Sequence, residues 1–489
     1  MQATLIDRFL AGVRINPAAP AIIADGRVIS HQQLLSLVGA TARRLHDEGL
    51  RSGAIVGVSM EQGPLHCVAV LALARLGVVS VPIAPTMALA VRDRLMRAYA
   101  IETLVSSWFS PAETPFRVIT LDKLTARPAD ADLDFIEFEP VAQTPLRIVL
   151  SSGTTKEPRG VLHSHGDWVQ RMERTLVDCD RTSRLIPPDL HITLGMVFTH
   201  GVLCAGGTIV FPQAGDRDGL LLAINRCAVS HLIISPAAML PIVSVLPEQG
   251  MLLPTLKHLR LVGATPPAAL LGKLREHCTP NVCVPYGLTE LGPISMADGE
   301  TLSRHPDSAG RVYPWARVEI VDALGQPVPA GVSGEIRVVV DAMPAGYYLP
   351  DDDADGKFRE GWFYPGDRGR VSADGLLFVE GRIDHILNIG GYKISPEKVE
   401  ATLAEYPSVI EAAVHIDVAA DGESRLLAAI VQAPGASLDG LAEFGRQRLG
   451  IMAPHTYRVV ENLPRNSMGK LLRDRLADLN VTEVGAARQ

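Results

Sequence analysis

Residues 151–161 read SSGTTKEPRGV and directly follow the apolar run LRIVL. Hydroxyls and a glycine crowded at a strand end suit a phosphate cradle. Glycine lets backbone N–H groups approach an anion, and Ser or Thr hydroxyls donate hydrogen bonds or ligate magnesium. Ser151, Ser152, Gly153, Thr154 and Thr155 are the candidate contacts, and Arg159 adds positive charge. The GK[ST] ending of a Walker loop is missing. A polar surface loop has the same composition, so the segment by itself leaves both readings open.

Such residues need elements to hold them. The first ~380 residues alternate short apolar runs with amphipathic segments, as βαβ units do. Candidate strands are Ile55–Ser59, Val78–Ile83, Arg147–Leu150, His231–Ile234, His258–Val262 and Val282–Pro285. Leu34, Leu35, Val38 and Leu45 recur near helical spacing and predict a helix over Gln32–Glu48. From about Pro314 the runs VEIVD, GEIRVVV and LLFVEGR predict a smaller β-rich layer closing the large unit. After Arg382 a compact α+β unit begins. Ser395-Pro396-Glu397 opens a helix with a capping hydroxyl, a first-turn proline and an acid at the positive dipole end. That helix should run to about Glu405, followed by strands VIEAAVHIDV and LLAAIVQ and a second helix from about Leu438 to Leu449. The expected class is α/β: residues 1–381 as a large N-terminal domain of βαβ layers with a β-rich subdomain, and residues 382–489 as a small α+β C-terminal domain.

Hydrophobic residues make up 47% of the 489 and charged residues 20%, which argues against disorder. The net charge of −8 gives no electrostatic reason to expect nucleic acid or an anionic membrane as partner. None of the six cysteines forms a CxxC pair, so they read as buried thiols in a reducing compartment. The start lacks the basic-then-apolar order of a secretory signal. The uncharged stretch Ala228 to Pro247 is broken by His231, Pro236 and Pro241, and reads better as a buried strand than as a membrane span. The expected address is the cytoplasm.

The loop, with LHSH at 162–165, resembles the signature of adenylate-forming enzymes: acyl-CoA synthetases, peptide-synthetase adenylation domains and firefly-type luciferases. In that pattern a glycine usually follows the second threonine and a lysine comes three residues later. Here Lys156 and Arg159 stand at those positions, so the charge is kept and a conformationally free residue is lost. The resemblance continues in order. It takes in LALARLGVVSVPIAP at 71–85, VGATPP at 262–267, YGLTE at 286–290, DSAGRVYP, SGEIRV, GYY and GWFYPGD at 361–367. GRIDHILNIGGYKISPEKVE at 381–400 and PRNSMGK at 464–470 complete it. The chain is most similar to the acyl-CoA synthetase branch, with an aryl-CoA-ligase-like cast.

That resemblance implies ATP, Mg2+ and coenzyme A as cofactors and co-substrates. Tyr286 would carry adenine on its ring, with Gly263, Ala264, Gly287 and Thr289 lining the nucleotide pocket; a core tyrosine is the alternative. Glu290 with Thr154 would hold Mg2+ over the phosphates, whereas residue type alone also allows a helix-capping acid. Asp367 can accept from both ribose hydroxyls and Arg382 can donate to the same sugar, or the two form a structural pair. Lys470 matches the family's catalytic lysine and would bridge the substrate carboxylate and the α-phosphate. Composition alone would read it as solvated. The small domain is expected to be mobile about a hinge at Asp384, bringing Gly390, Gly391, Tyr392 and Lys393 to the thiol tunnel.

The acyl pocket should draw on Phe198, His200, Pro236, Ala237, Gly263, Ala264 and Gly287. Phe198, in LGMVFTHGV, aligns with the family's gate, and an ordinary core aromatic fits it equally. VFTHG is similar to the FFAYG-type segment of aryl-CoA ligases, a pointer toward aromatic or short-chain acids. SPAAML at 235–240 has no Asp, which amino-acid-activating relatives use to hold the α-ammonium. The expected reaction is formation of an acyl-AMP from ATP, then of a thioester with coenzyme A. Loading of a carrier protein is the alternative, and luciferase-like oxidation shares the fold. Expected partners are a small carboxylic acid and coenzyme A or a carrier protein, with no nucleic acid and no membrane insertion; a homodimer is compatible.

Overall fold

A helix that returns the chain to the same edge after each apolar run makes successive strands parallel. The computed structural model describes the chain apart from residues 1–2, 110–113, 125–132, 134–137, 152–157, 177, 213–216, 244–251, 265, 267, 354, 386, 390–391, 419–423, 467–468, 480–481 and 487–489. Among the described residues the strands form sheets of fifteen, six, four and two strands.

The six-stranded sheet contains β1 (Ile55–Ser59), followed by α1 (Pro64–Arg75), then β2 (Val79–Pro82) and β3 (Pro145–Leu150). It ends on β4 (Gly160–Ser164), which runs antiparallel to β3, so the phosphate-loop segment connects two paired antiparallel strands. Helices α2 (His165–Thr175) and α3 (Thr193–Cys204) lead into the larger sheet. There β5 (His231–Ile234), α4 (Pro236–Val243), β6 (His258–Leu261) and β7 (Val282–Leu288) follow, the three strands lying side by side in parallel. The described part of the uncharged stretch, 228–243, thus holds β5 and α4, and among the described residues no helix is long and apolar enough to cross a membrane.

The expected strands match to within a residue or two at most ends, and the helix expected at Gln32–Glu48 spans His31–Asp47. Two expectations need correction. Strand β7 continues past Pro285 to Leu288 and pairs antiparallel with β8 (Gly292–Ala297). The β-rich part therefore begins at β8 rather than near Pro314, and it extends the βαβ sheet instead of forming a separate layer. It continues through β9 (Asp367–Val371) and β10 (Leu376–Arg382). The other correction concerns α5 (Pro396–Leu403), whose Ser395 makes no side-chain cap. Its Oγ donates instead to the Glu380 carbonyl and to the Glu397 carboxylate, each at 3.2 Å, tying the helix start to β10. Beyond α5, β11 (Val409–Val418) and β12 (Ser424–Gln432) pair antiparallel, and their cluster of Ile394, Val399, Leu403, Val414, Ile430 and Tyr457 is distinct from the cores before it. The second helix starts at Leu441, three residues later than expected. All six cysteines are free thiols.

Trp168 on α2 is fully buried, and its Nε1 donates to His200 Nδ1 on α3 at 3.0 Å. That nitrogen must be unprotonated to accept. Burial pushes His200 and His163 down to about 3 and His165 to about 4. These rings are neutral when folded and take a proton on unfolding below their ordinary value of 6.5. The unfolded chain then binds more protons, so stability should fall as pH drops from about 6.5 toward about 3 and level off below. The unfolding free energy from denaturant titrations should decline between pH ~7.5 and ~5, by up to ~1.4 kcal/mol per pH unit per ring. His200→Gln keeps an acceptor for Trp168 and should flatten that slope; an unchanged slope would remove this ring from the linkage.

Candidate active site

Neighbouring parallel strands deliver their carboxyl ends to one edge, which is where open α/β sheets bind ligands. Here β5, β6 and β7 bring Ser235–Ala237, Gly263–Ala264 and Tyr286–Gly287 to that edge. Pro236 is buried and Ala237 half-buried, whereas Gly263, Ala264 and Gly287 are exposed. Gly287 cannot carry a side chain, because a Cβ there would lie 2.7 Å from the Gly292 carbonyl oxygen across the β7–β8 turn.

Tyr286 Oη donates to Asp367 Oδ2 at 2.5 Å. Burial first, and the Asp367 charge next, push the phenol well above its ordinary value, so it stays a donor. Asp367 stands opposite Arg382 in the β9–β10 register, 3.6 Å apart at their nearest charged atoms. Arg382 forks onto Asp384 through Nε (2.9 Å) and Nη2 (2.7 Å), and its Nη1 donates to the Pro365 carbonyl at 2.8 Å. The structural pair and the sugar-binding geometry are therefore compatible: Asp367 is held by a neutral hydroxyl and a nearby cation.

Ser152, Gly153, Thr154 and Thr155 lie outside the described residues. The ends of their hairpin are closed by Ser151 N donating to the Arg159 carbonyl (2.8 Å) and Arg159 N donating to Ser151 Oγ (3.2 Å). The Arg159 guanidinium pairs with Asp355 at 2.6 Å and lies 5.5 Å over the ring of Tyr347. Tyr347 Oη in turn donates to Glu290 Oε1 at 3.0 Å. Behind Glu290, Arg171 of α2 donates to the carbonyls of Leu288 (3.2 Å) and Thr289 (2.9 Å). Burial lowers that guanidinium only to about 10, so it stays charged beside Glu290. Lys357 donates to the Pro365 carbonyl at 3.1 Å within reach of the charges of Arg382, Glu290, Arg159 and Asp367, and burial lowers its pKa.

Tyr347, Arg171 and Lys357 were not visible as site residues in the sequence. Tyr347 belongs to the GYY motif, which carried no assigned role. Arg171 and Lys357 offer no local signal, since Arg171 meets carbonyls 117 and 118 residues away. Glu290 is a single buried hard donor beside several cations. This suits Mg2+, which takes one or two carboxylates and keeps its water and phosphate oxygens. Among the described residues no group of three or more His, Cys, Asp or Glu forms an all-protein metal cage.

The small domain contributes Lys470. Its backbone N donates to Asn466 Oδ1 and its carbonyl accepts from Asn466 N, both at 2.9 Å, and Arg465 ties the turn to β11 through Glu411 at 2.7 Å. Gly469, at φ +73, presses on the large domain: a Cβ there would lie 2.5 Å from Ser235 Oγ. Burial lowers the Lys470 pKa, Arg382 adds to that, and Asp367 and Asp384 oppose it, so the ammonium lies within electrostatic reach of Asp367 and Arg382. Gly390 and Gly391 lie outside the described residues. The backbones of Tyr392 and Lys393 form a short strand paired with 387–389.

The expected gate is not brought to the edge. Phe198 is 3% exposed under Arg260, whose guanidinium is 5.0 Å from its ring centre, and His200 is 1% exposed against Trp168. Two residues apart on a helix, they face different surroundings; both are buried in this arrangement, and His200 keeps its Nε2 without a partner among the described residues.

A family model described as AMP-binding enzyme matches residues 9–348. The chain is 28% identical to a feruloyl-CoA synthase from an Amycolatopsis species, over 94% of this chain and 96% of that one. It is 26% identical to the fatty acid–[acyl-carrier-protein] ligase ScoC of Streptomyces coeruleorubidus, over 97% and 96%. Its fold is that of the o-succinylbenzoate coenzyme A synthetase MenE from Bacillus subtilis in complex with ATP and magnesium ion. The TM-score there is 0.84, at 23% identity, covering 98% of this chain and all of the other.

Arg171→Met should leave two half-buried carbonyls behind Glu290 without this donor, costing about 1–3 kcal/mol in all. Denaturant unfolding measures the loss, and a variant as stable as the parent would show that Arg171 is not the strut of this turn.

Proposed function

The chain belongs to the AMP-binding enzyme family, and from that membership and the geometry around Lys470 we propose that it is an acid–thiol ligase. It activates a small carboxylic acid with ATP and passes the acyl group to coenzyme A. In the first half-reaction a carboxylate oxygen attacks the α-phosphorus and the bond to pyrophosphate breaks. In the second, the thiol attacks the acyl carbon, its proton is lost and AMP leaves.

One observation carries this reading. The Lys470 turn sits against Ser235, with its ammonium within electrostatic reach of Asp367 and Arg382 at the carboxyl edge of the sheet. A cation there can neutralise both the incoming carboxylate and the phosphoryl oxygens without reorganising during the reaction. Asp367, kept as an acceptor by Tyr286, would take the ribose hydroxyls, and Tyr286 the adenine. Arg159 and Lys357 would face the leaving pyrophosphate. Glu290 and Thr154 would hold magnesium, which supplies phosphate neutralisation when bound. Gly263, Ala264, Gly287 and Thr289 would border the nucleotide, and Pro236 and Ala237 the acyl group.

For the second half-reaction the small domain would turn about Asp384, withdrawing Lys470 and presenting Gly390, Gly391, Tyr392 and Lys393 to the thiol. The Arg382–Asp384 fork has to travel with the hinge or break. A carrier-protein thiol as acceptor is the second reading, favoured by the likeness to ScoC.

Lys470→Ala should slow acid-dependent ATP–pyrophosphate exchange by ~100-fold or more. Thioester formation from supplied acyl-adenylate should suffer far less. Equal loss in both steps would overturn the domain-alternation account. Glu290→Gln should weaken exchange and raise the magnesium requirement; exchange like that of the parent would remove Glu290 from the metal. AMP release that depends on coenzyme A separates the first acceptor from a carrier protein.

A further inference from the structure

A group of buried polar atoms stands where β1, α1, β3 and α3 meet. Arg147 on β3 is 1% exposed. Its Nη1 donates to Ser80 Oγ at 3.2 Å, while Nε and Nη2 have no partner among the described residues. Among the same residues, both ring nitrogens of His66, Nε2 of His191 and of His200, and the hydroxyls of Ser59 and Thr199 are likewise buried and unpartnered. The rings of His66 and His191 are 4.7 Å apart, and His66 lies within electrostatic reach of Arg147 and His200. Asp189 is spent on His191, whose Nδ1 is 2.8 Å from its Oδ1. No carboxylate among the described residues acts on Arg147; burial alone perturbs it.

The guanidinium remains charged at neutral pH, because burial lowers it only to about 10. Burial holds His66 and His200 neutral, so each can donate from one nitrogen. A buried cation without a counter-charge is strongly unfavourable. Water would satisfy the hydrogen bonds without neutralising the charge, whereas a carboxylate does both. Arg147 and Ser151 project from the same face of the β3 line, about 13 Å apart along the backbone. The cluster therefore lies one side-chain reach and a short spacer away from the phosphate hairpin, with the His191 side chain, 8% exposed, at its rim.

We propose that this cluster is an anion subsite that takes the far carboxylate of a dicarboxylic acid while the near carboxylate is activated. The two carboxyls are separated by a spacer as long as an aromatic ring or a comparable chain. This rests on the ligase reading above and narrows its substrate class.

The test pairs monocarboxylic acids with the dicarboxylic acids of equal length, linear and aromatic, in acid-dependent pyrophosphate exchange. For the parent enzyme, kcat/KM should favour the diacid by ~10-fold or more at one spacer length. Arg147→Met should lower that diacid-to-monoacid ratio by about 100-fold. His66→Leu leaves the guanidinium in place and should lower the ratio by about 10-fold, so a second variant reports if the first does not fold. The proposal is overturned if the parent prefers no diacid at any length, or if the ratio is the same in parent and folded variant. Monoacid exchange with an unmoved ratio sinks the subsite and leaves the ligase intact. No exchange with any acid sinks the ligase reading and the subsite with it.

Discussion

Strand β7 pairs with a parallel neighbour at Val282 and Cys283 and with an antiparallel neighbour from Val284 onward. That change of partner is the constraint on which the rest depends. Up to Val284 the strand is one of several that end at a common edge. Beyond it the chain turns back through Gly287 to Glu290, and its antiparallel continuation brings β9 and β10 into the same sheet. Tyr286 and Asp367 thus meet at 2.5 Å although 81 residues separate them. A strand that stopped at Pro285 would leave Tyr286 in a loop and Asp367 without its donor.

Charge is distributed around that strand so that no single pair is left alone. Glu290 is approached by Arg171 from beneath and by Tyr347 from the side; Asp367 is approached by Tyr286, Arg382 and the Lys470 ammonium. Cations from both domains outnumber these two acids, an arrangement suited to a ligand that brings several negative charges. The surface ion pairs elsewhere, such as Arg304–Glu300, contribute little by comparison because water screens them.

Among the described residues the small domain meets the large one at the end of β10 and at Ser235. Ser395 and Glu397 fix α5 to the end of β10, while Arg465 and Glu411 brace the Lys470 turn. Gly469 allows the turn to approach Ser235 as closely as it does, since any larger residue would meet that serine.

The sequence by itself determined most of the strands and helices, the strand that leads into the phosphate loop, and the order of the motifs that contain Tyr286, Glu290, Asp367 and Lys470. Apolar period and turn residues are local properties, and motif order survives however the chain packs. It did not determine what each buried face meets. Phe198 and His200 read as pocket residues because their segment resembles a gate, yet one packs under Arg260 and the other on Trp168. Ser395 reads as a cap, yet its hydroxyl goes to Glu380. Arg171, Lys357 and Arg147 carry no local mark, because a cation's role depends on which carbonyls, hydroxyls or carboxylates it faces. Lys357 reaches a carbonyl eight residues on, but Arg147 meets Ser80 67 residues away and Arg171 carbonyls 117 and 118 residues away, and only the packing of sheet on helix selects those partners.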